Sequence, residues 1–264
     1  MLIAQISDPH ILPPGEKAYG VVATDTFLPP ALARLARMRP RPDCVFLTGD
    51  LVDLGRAAEY RHLRGMLRAL DLPCYLMPGN HDDRARLIAA FPDHAYLAGE
   101  GGYIQYAVDD YALRVLALDT VVPGHGHGAL CPARLDWLER RLAEQPDRPT
   151  AVAMHHPPFR TGIAHMDEIG LLEGAPRLES ILRSYDNVVR VMCGHVHRTM
   201  FRSFGGTVAS TCPSPAHQVT LDLLPDAPAT FTMEPPGLHL HAWEDGELVT
   251  HHVAIGDYEG PYPF

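Results

Sequence analysis

The stretch LIAQISDPH, residues 2–10, sets the pattern that decides the fold. Its apolar run has the length of a buried β-strand, and two polar residues, Asp8 and His10, follow it at once. Short apolar runs that end in polar residues recur along the chain. They predict buried strands over Leu2–Ile6, Cys44–Leu47, Cys74–Met77, Leu113–Leu118, Ala151–Met154 and Val188–Met192.

Helical patterns separate these apolar runs. Pro132 and Pro176 each suit the first turn of a helix, where the missing N–H is not needed. Strands that alternate with helices predict an α/β layer fold. The predicted helices are Asp25–Met38, Ala57–Leu70, Asp83–Ala90, Pro132–Ala143 and Pro176–Ser184.

The last quarter of the chain predicts short antiparallel strands broken by prolines. We expect them over Met200–Phe204, Gln218–Leu223, Thr230–Met233, Leu238–Trp243 and Leu248–Ala254. We therefore predict a main domain over residues 1–224 and a small β-rich segment over residues 225–264 that caps a site or contacts another subunit. Aromatic and aliphatic residues of this segment favour a homo-oligomer, a dimer or a larger assembly up to a hexamer: Phe231, Leu238, Leu240, Trp243 and Val249.

Composition limits the class of protein. The 264 residues carry 22 Lys+Arg and 32 Asp+Glu, a net charge of −10, which argues against binding a nucleic acid polymer. Bound metal ions would still allow an anionic substrate. Five scattered cysteines, no basic leader before Asp8 and no apolar run of membrane length predict a cytoplasmic protein without a membrane segment.

Polar residues converge where the predicted strands end. The carboxyl ends of strands are where α/β sheets build sites, so two Asp, one Asn and at least four His should share one rim. These donors are too many for one ion and suit two ions bridged by a carboxylate. Nitrogen and oxygen donors without a thiolate suit Zn, Fe, Mn or Co. The residues are Asp8, His10, Asp50, Asn80, His81, His155, His156, His195 and His197.

This pattern resembles the calcineurin-like metallophosphoesterase superfamily. The motifs that carry the resemblance are, in order, Asp8-x-His10, Gly49-Asp50, Gly79-Asn80-His81-Asp82, His155-His156 and Gly194-His195-x-His197. Further motifs are similar to the class III cyclic nucleotide phosphodiesterases, and within them to the bacterial glycerophosphodiesterase type: Gly15-Glu16-Lys17-x-Tyr19-Gly20, Gly49-Asp50-Leu51-Val52-x-x-Gly55, Met154-His155-His156-Pro157-Pro158 and His217-Gln218-Val219.

The resemblance implies a four-layer α/β/β/α sandwich and a ligand for each motif. Residues 1–224 would be the metallophosphoesterase domain. His155 is not among the implied ligands and is expected to pack beneath its loop or to support a ligand residue. The implied ligands are Asp8, His10 and His197 for the first metal ion, Asp50 as the bridge, and Asn80, His156 and His195 for the second.

The resemblance also places residues at the substrate. His81, with Asp50 and Asn80, is the expected catalytic group, and His81, Asn80 and His217 are the expected substrate contacts. His81 would donate to a phosphoryl oxygen or protonate the leaving alkoxide; alternatively it would only support a ligand. His125 and His127 are expected either to reach the mouth of the site or to be mobile on the surface. The late histidines are expected to be structural or interfacial: His239, His241, His251 and His252.

The implied activity is hydrolysis of small phosphodiesters. Two cations would generate a hydroxide for in-line attack on a glycerophosphodiester-like substrate, with alkyl or aryl diesters and phosphonate monoesters as further substrates. A 3',5'-cyclic nucleotide phosphodiesterase is the alternative, since it would use the same metals with another pocket. A non-catalytic scaffold is disfavoured because the full ligand set is present.

Overall fold

The computed structural model describes all 264 residues, which form fifteen strands and six α-helices. The strands are β1 (Leu2–Ile6), β2 (Cys44–Thr48), β3 (Cys74–Met77), β4 (Tyr106–Val108), β5 (Arg114–Leu118), β6 (Gly128–Ala129), β7 (Thr150–Met154), β8 (Leu171–Glu173), β9 (Val188–Cys193), β10 (Met200–Phe204), β11 (Thr207–Thr211), β12 (Gln218–Val219), β13 (Phe231–Thr232), β14 (Gly237–Glu244) and β15 (Glu247–Ala254). The helices are α1 (Leu28–Arg37), α2 (Ala57–Leu67), α3 (Arg84–Ala90), α4 (Pro132–Glu144), α5 (Ala164–Glu168) and α6 (Ala175–Arg183).

Most strands belong to two mixed sheets. The first has the order β15-β14-β1-β2-β3, with β1, β2 and β3 parallel. The second has the order β10-β11-β9-β7-β5-β4, with a parallel centre from β11 to β5. Parallel pairing brings the carboxyl ends of neighbouring strands to one edge of each sheet, which is where the predicted ligands follow.

The two sheets pack against each other between helices. On β5, Val115 and Ala117 pack into the same core as β1–β3, whereas Leu116 and Leu118 pack with α4 and α6. This split follows from the two-residue period of a strand. Helices α1 and α2 contribute to the core of the first sheet. The predicted four-layer α/β/β/α arrangement is confirmed.

The six buried strands lie within one residue of their predicted bounds at each end. The late strands differ more. Residues predicted as strands over 218–223 and 230–233 form only the short β12 and β13, which pair with each other and with no larger sheet. The sequence prediction also missed β11, whose residues Thr207–Thr211 are small or polar.

The C-terminal hairpin, which lies in the segment 225–264 that we predicted to cap a site or contact another subunit, is part of the first sheet. Strand β14 pairs with β1 over four residues, from Leu2 opposite Ala242 to Gln5 opposite His239. Leu238 is fully buried in the main core. Residues 229–231, in the earlier part of the predicted segment, line a cavity. No helix is both long and apolar enough to cross a membrane.

Candidate metal centre

The loops after five strands carry the predicted site residues to one place. Asp8, Asp50, His155, His156 and His195 are all buried, although each follows the end of a strand. Five of the predicted ligands adopt a left-handed backbone that non-glycine residues rarely use, a feature that clusters at functional sites. They are Asp8, His10, Asp50, His195 and His197.

The first group of donors forms around two histidines. Nε2 of His10 lies 3.1 Å from Nε2 of His197, so the two rings point their nitrogens at each other. Nε2 of His197 is 3.6 Å from Oδ1 of Asp8, and Nε2 of His10 is 3.6 Å from Oδ2 of Asp50. Four donors of the predicted first site therefore converge.

The second group forms around the amide oxygen of Asn80. This Oδ1 lies 3.0 Å from Nδ1 of His195 and 3.1 Å from Nε2 of His155. The same Nε2 of His155 is 3.4 Å from Oδ2 of Asp50. Oδ2 of Asp50 is thus close to both groups, in the position that a bridging carboxylate requires.

Both histidines of the pair after β7 lie at the second group. Ring nitrogens of His155, His156 and His195 lie within 4.8 Å of one another, close enough to hold one ion. Nδ1 of His156 lies 2.7 Å from Oγ1 of Thr120, and its Nε2 lies 3.1 Å from the carbonyl oxygen of Gly126. Nε2 of His155 faces the oxygens of Asn80 and Asp50, the position of a residue that supports ligands.

Each inward-facing Nε2 is fixed by a hydrogen bond at the opposite ring nitrogen. Nδ1 of His10 lies 3.1 Å from a carboxylate oxygen of Asp53, Nδ1 of His197 lies 3.0 Å from the carbonyl of His217, and Nδ1 of His155 lies 2.9 Å from the carbonyl of Thr48. In His10 and His197 a proton on Nδ1 leaves a lone pair on Nε2, which is how proteins orient metal-binding histidines. The donor set fits metal ions.

Asp53 and Thr48 were missed as supporting residues. A sequence signal existed for Asp53, a carboxylate three residues after Asp50 in the Gly49–Gly55 motif. Thr48 acts through its backbone carbonyl, which any residue type supplies, so no sequence signal could have found it.

The charge states of the buried side chains suit a site that binds cations. Burial holds the pKa of His10 and of His197 well below the usual value and lowers that of His195 to about 3. Burial would lower the pKa of His155 also, but Asp50 and Asp8 outweigh it and raise that pKa to about 9. Burial likewise holds the pKa of His156 well below its usual value. These neutral imidazoles can bind metal ions, and the two buried carboxylates attract a cation. The raised pKa of His155 suits a ring that donates a hydrogen bond to Asp50.

Close backbone contacts explain the glycines before the ligands. A side-chain carbon at Gly79 would overlap the carboxylate and backbone nitrogen of Asp50 and lie 2.7 Å from the ring of His155. One at Gly194 would overlap the hydroxyl of Ser7. Glycine is therefore required where the loops meet.

A cavity of about 330 Å³ opens above the two groups of donors. His81 lines it, donating its backbone N–H to Asp50 (2.9 Å) and holding Nδ1 2.6 Å from the carbonyl of Asp53. The ring of His217 also lines it, packed against the rings of Tyr19 and Phe231. A volume of this size suits a small molecule.

Four further histidines lie away from this cavity. The rings of His125 and His127 contact each other, 5.0 Å between centroids, and neither lines it. His239 and His241 are buried on β14, where they bond to Thr199 and to Gln5. They belong to the sheet.

Comparison with known proteins gives consistent results over the whole chain. The calcineurin-like phosphoesterase family matches residues 1–199. A probable glycerophosphodiester phosphodiesterase GpdQ of Arcobacter nitrofigilis is 39% identical, covering 100% of this chain and 97% of the relative. The glycerophosphodiester phosphodiesterase GpdQ of Enterobacter lignolyticus is 35% identical, covering 99% of this chain and 94% of the relative. The 3',5'-cyclic adenosine monophosphate phosphodiesterase CpdA of Escherichia coli K12 is 30% identical, covering 97% of this chain and 90% of the relative.

A solved structure shares the architecture. A dimetal phosphatase from Danio rerio superposes with a TM-score of 0.68, covering 97% of this chain and 96% of its own, at 15% identity. At that identity the likeness concerns the fold alone.

Proposed function

The chain belongs to the calcineurin-like phosphoesterase family, and we propose that it hydrolyses small phosphodiesters of the glycerophosphodiester class. It is a metal-dependent phosphodiesterase, as its full-length relatives are phosphodiesterases by name. The observation that carries the proposal is the position of Asp50 Oδ2, 3.6 Å from Nε2 of His10 in one group of donors and 3.4 Å from Nε2 of His155 in the other.

Two divalent ions would be held by these groups. We assign Asp8, His10 and His197 to the first and Asn80, His156 and His195 to the second, with Asp50 shared by both. His155 would support Asn80 and Asp50 through its Nε2. Imidazole, carboxylate and amide donors suit Fe, Zn, Mn or Co. When bound, such ions supply Lewis-acid stabilisation of the phosphoryl group and a hydroxide near neutral pH.

The chain's own residues bind and orient the diester. Nδ1 of His81 is engaged by the carbonyl of Asp53, so its Nε2 is the atom that meets the substrate. There a proton on His81 would be donated to a phosphoryl oxygen or to the departing alkoxide. The aromatic ring of His217 would contact the second ester arm beside Tyr19 and Phe231.

A panel of substrates tests the proposal. The metal content is measured first, and kcat/KM is then compared for glycerophosphoethanolamine, cyclic AMP, a phosphonate monoester and a phosphomonoester. We expect the glycerophosphodiester to be the best substrate and the monoester the poorest. A monoester cleaved as well as its diester would place the protein among the phosphatases.

The cyclic nucleotide alternative is supported by the similarity to the Escherichia coli cyclic AMP enzyme, over 97% of this chain. The two GpdQ relatives are more similar, at 39% and 35% identity. We therefore place cyclic nucleotides second. A cyclic AMP kcat/KM above that of every glycerophosphodiester would reverse this order.

Self-association stays a prediction, with different support. Of the apolar side chains that motivated it, Leu238 is buried in the main core and Phe231 lines the cavity, while Val249 is exposed. Three exposed leucines lie earlier in the chain, at Leu221, Leu223 and Leu224. We propose these leucines as the contact between copies.

A further inference from the structure

The cavity contains one imidazole that the proposed reaction does not use. His165 lies on the short helix α5, downstream of the histidine pair that follows β7. It lines the same cavity as Asn80 and His81. The other lining residues of its segment, Met166 and Ile169, are apolar. His165 is therefore the polar group of an otherwise apolar wall.

The ring of His165 has no hydrogen-bond partner within the chain at its enclosed nitrogen. Its Nδ1 is buried and bonded to nothing. An enclosed N–H without an acceptor is rarer and costlier in proteins than an enclosed lone pair, so the proton belongs on Nε2. The nitrogen of His165 that remains for a ligand is thus a donor.

Another part of the cavity lining is aromatic. The ring centroids of Tyr19, His217 and Phe231 lie 5.1–5.4 Å apart, so the three rings pack as one cluster. A diester with its phosphoryl group beside His81 would have one ester arm for this cluster and one for the lining around His165. The second arm would meet an N–H donor among apolar side chains.

We propose that His165 determines specificity for the alcohol arm by donating from Nε2 to a hydroxyl oxygen of that arm. The site then favours polyol esters over plain alkyl esters of the same length, because a plain alkyl arm leaves this donor without an acceptor. The inference rests on the proposed phosphodiesterase function and adds to it the chemical feature of the substrate that is recognised.

A matched pair of product-like ligands tests this role without turnover. Glycerol 3-phosphate and propyl phosphate have the same chain length and differ in two hydroxyls. Their Kd values are measured by calorimetry on the metal-loaded protein, and the ratio of the propyl to the glycerol value is compared between variants. We expect His165→Leu to lower this ratio about 3- to 10-fold, the effect of one neutral hydrogen bond.

Two further variants separate recognition from structure. His165→Gln keeps an N–H donor and should keep most of the ratio. Thr230→Val removes another polar group that lines the cavity and should leave the ratio unchanged. An unchanged ratio in His165→Leu overturns the proposal, and so does an equal fall in Thr230→Val. Should His165→Leu lose its thermal transition, His165→Phe, which keeps a planar ring without a donor, takes its place under the same criteria.

Kinetics then separate this inference from the proposed function. In His165→Leu, the ratio of kcat/KM for a glycerol diester to that for a propyl diester with the same leaving group should fall together with the Kd ratio. If the wild-type protein cleaves no diester, the proposed function fails, while the binding ratio still decides the role of His165. If it cleaves both diesters and His165→Leu keeps the wild-type preference, the function stands and the inference fails.

Discussion

Replacing each histidine of the pair after β7 separates the ligand from its support. His156→Ala removes an imidazole that we assign to the second ion, in the cluster it forms with His155 and His195. His155→Ala removes the hydrogen bonds that support Asn80 and Asp50, at 3.1 Å and 3.4 Å. Loss of a supporting partner typically costs 10–100-fold in metal affinity, or about 1.4–2.7 kcal/mol, so we expect the loss of a direct ligand to exceed ~100-fold.

The assay is metal content against free-ion concentration set by a chelator buffer. At a free-ion concentration that just saturates the wild-type protein, we expect His156→Ala to retain about one equivalent of metal. We expect His155→Ala to fill both sites, but only at a higher free-ion concentration. His251→Ala, at an exposed position of β15 that does not line the cavity, serves as the control. Two equivalents in His156→Ala together with loss of one in His155→Ala would refute the assignment.

Three further predictions follow from contacts around the centre and on the surface. In Gly79→Ala the new methyl group overlaps Asp50 and crowds His155, so metal content and thermal stability should both fall; two ions bound with wild-type affinity would contradict this. Asp53→Asn weakens the acceptor at Nδ1 of His10, and calorimetry should show roughly tenfold weaker binding of one ion and not the other. Light scattering at micromolar concentration should give an oligomer, and Leu223→Glu should dissociate it; a wild-type monomer would exclude self-association.

The sequence predicted the buried strands well because each one needs a continuous apolar run. Both faces of β5 and β7 are covered, so every residue after Arg114 and Thr150, the first of each strand, is apolar, and these runs stand out from the helices. The edge of the first sheet was less predictable. The alternation of apolar and polar residues over Gly237–Glu244 predicts a hairpin strand but not its position in a sheet. Its pairing with β1, in which Leu2 lies opposite Ala242, sets that position.

The candidate site could be predicted as a set but not atom by atom. Polar residues after strands are visible in the sequence, and they do converge. Adjacent residues such as His155 and His156 are equivalent in the sequence, however, and the turn after β7 decides which ring faces Asp50. His165 gave no signal, because a single histidine in a short helix is indistinguishable from a surface residue until the cavity is seen.

The loops hold the donors in place without help from a ligand. A left-handed backbone at a non-glycine residue costs about 1–3 kcal/mol and persists where neighbouring contacts enforce it. Here those contacts come from the other ligand loops. The backbone N–H of Asp8 donates to the carbonyl of Gly49, that of His10 to the carbonyl of Asp50, and that of His195 to the carboxylate of Asp8. Since each loop fixes another loop's donor, a change at one ligand is expected to disturb the backbone at its neighbours as well. A single ligand substitution should therefore lower the metal affinity by more than the loss of its donor atom alone.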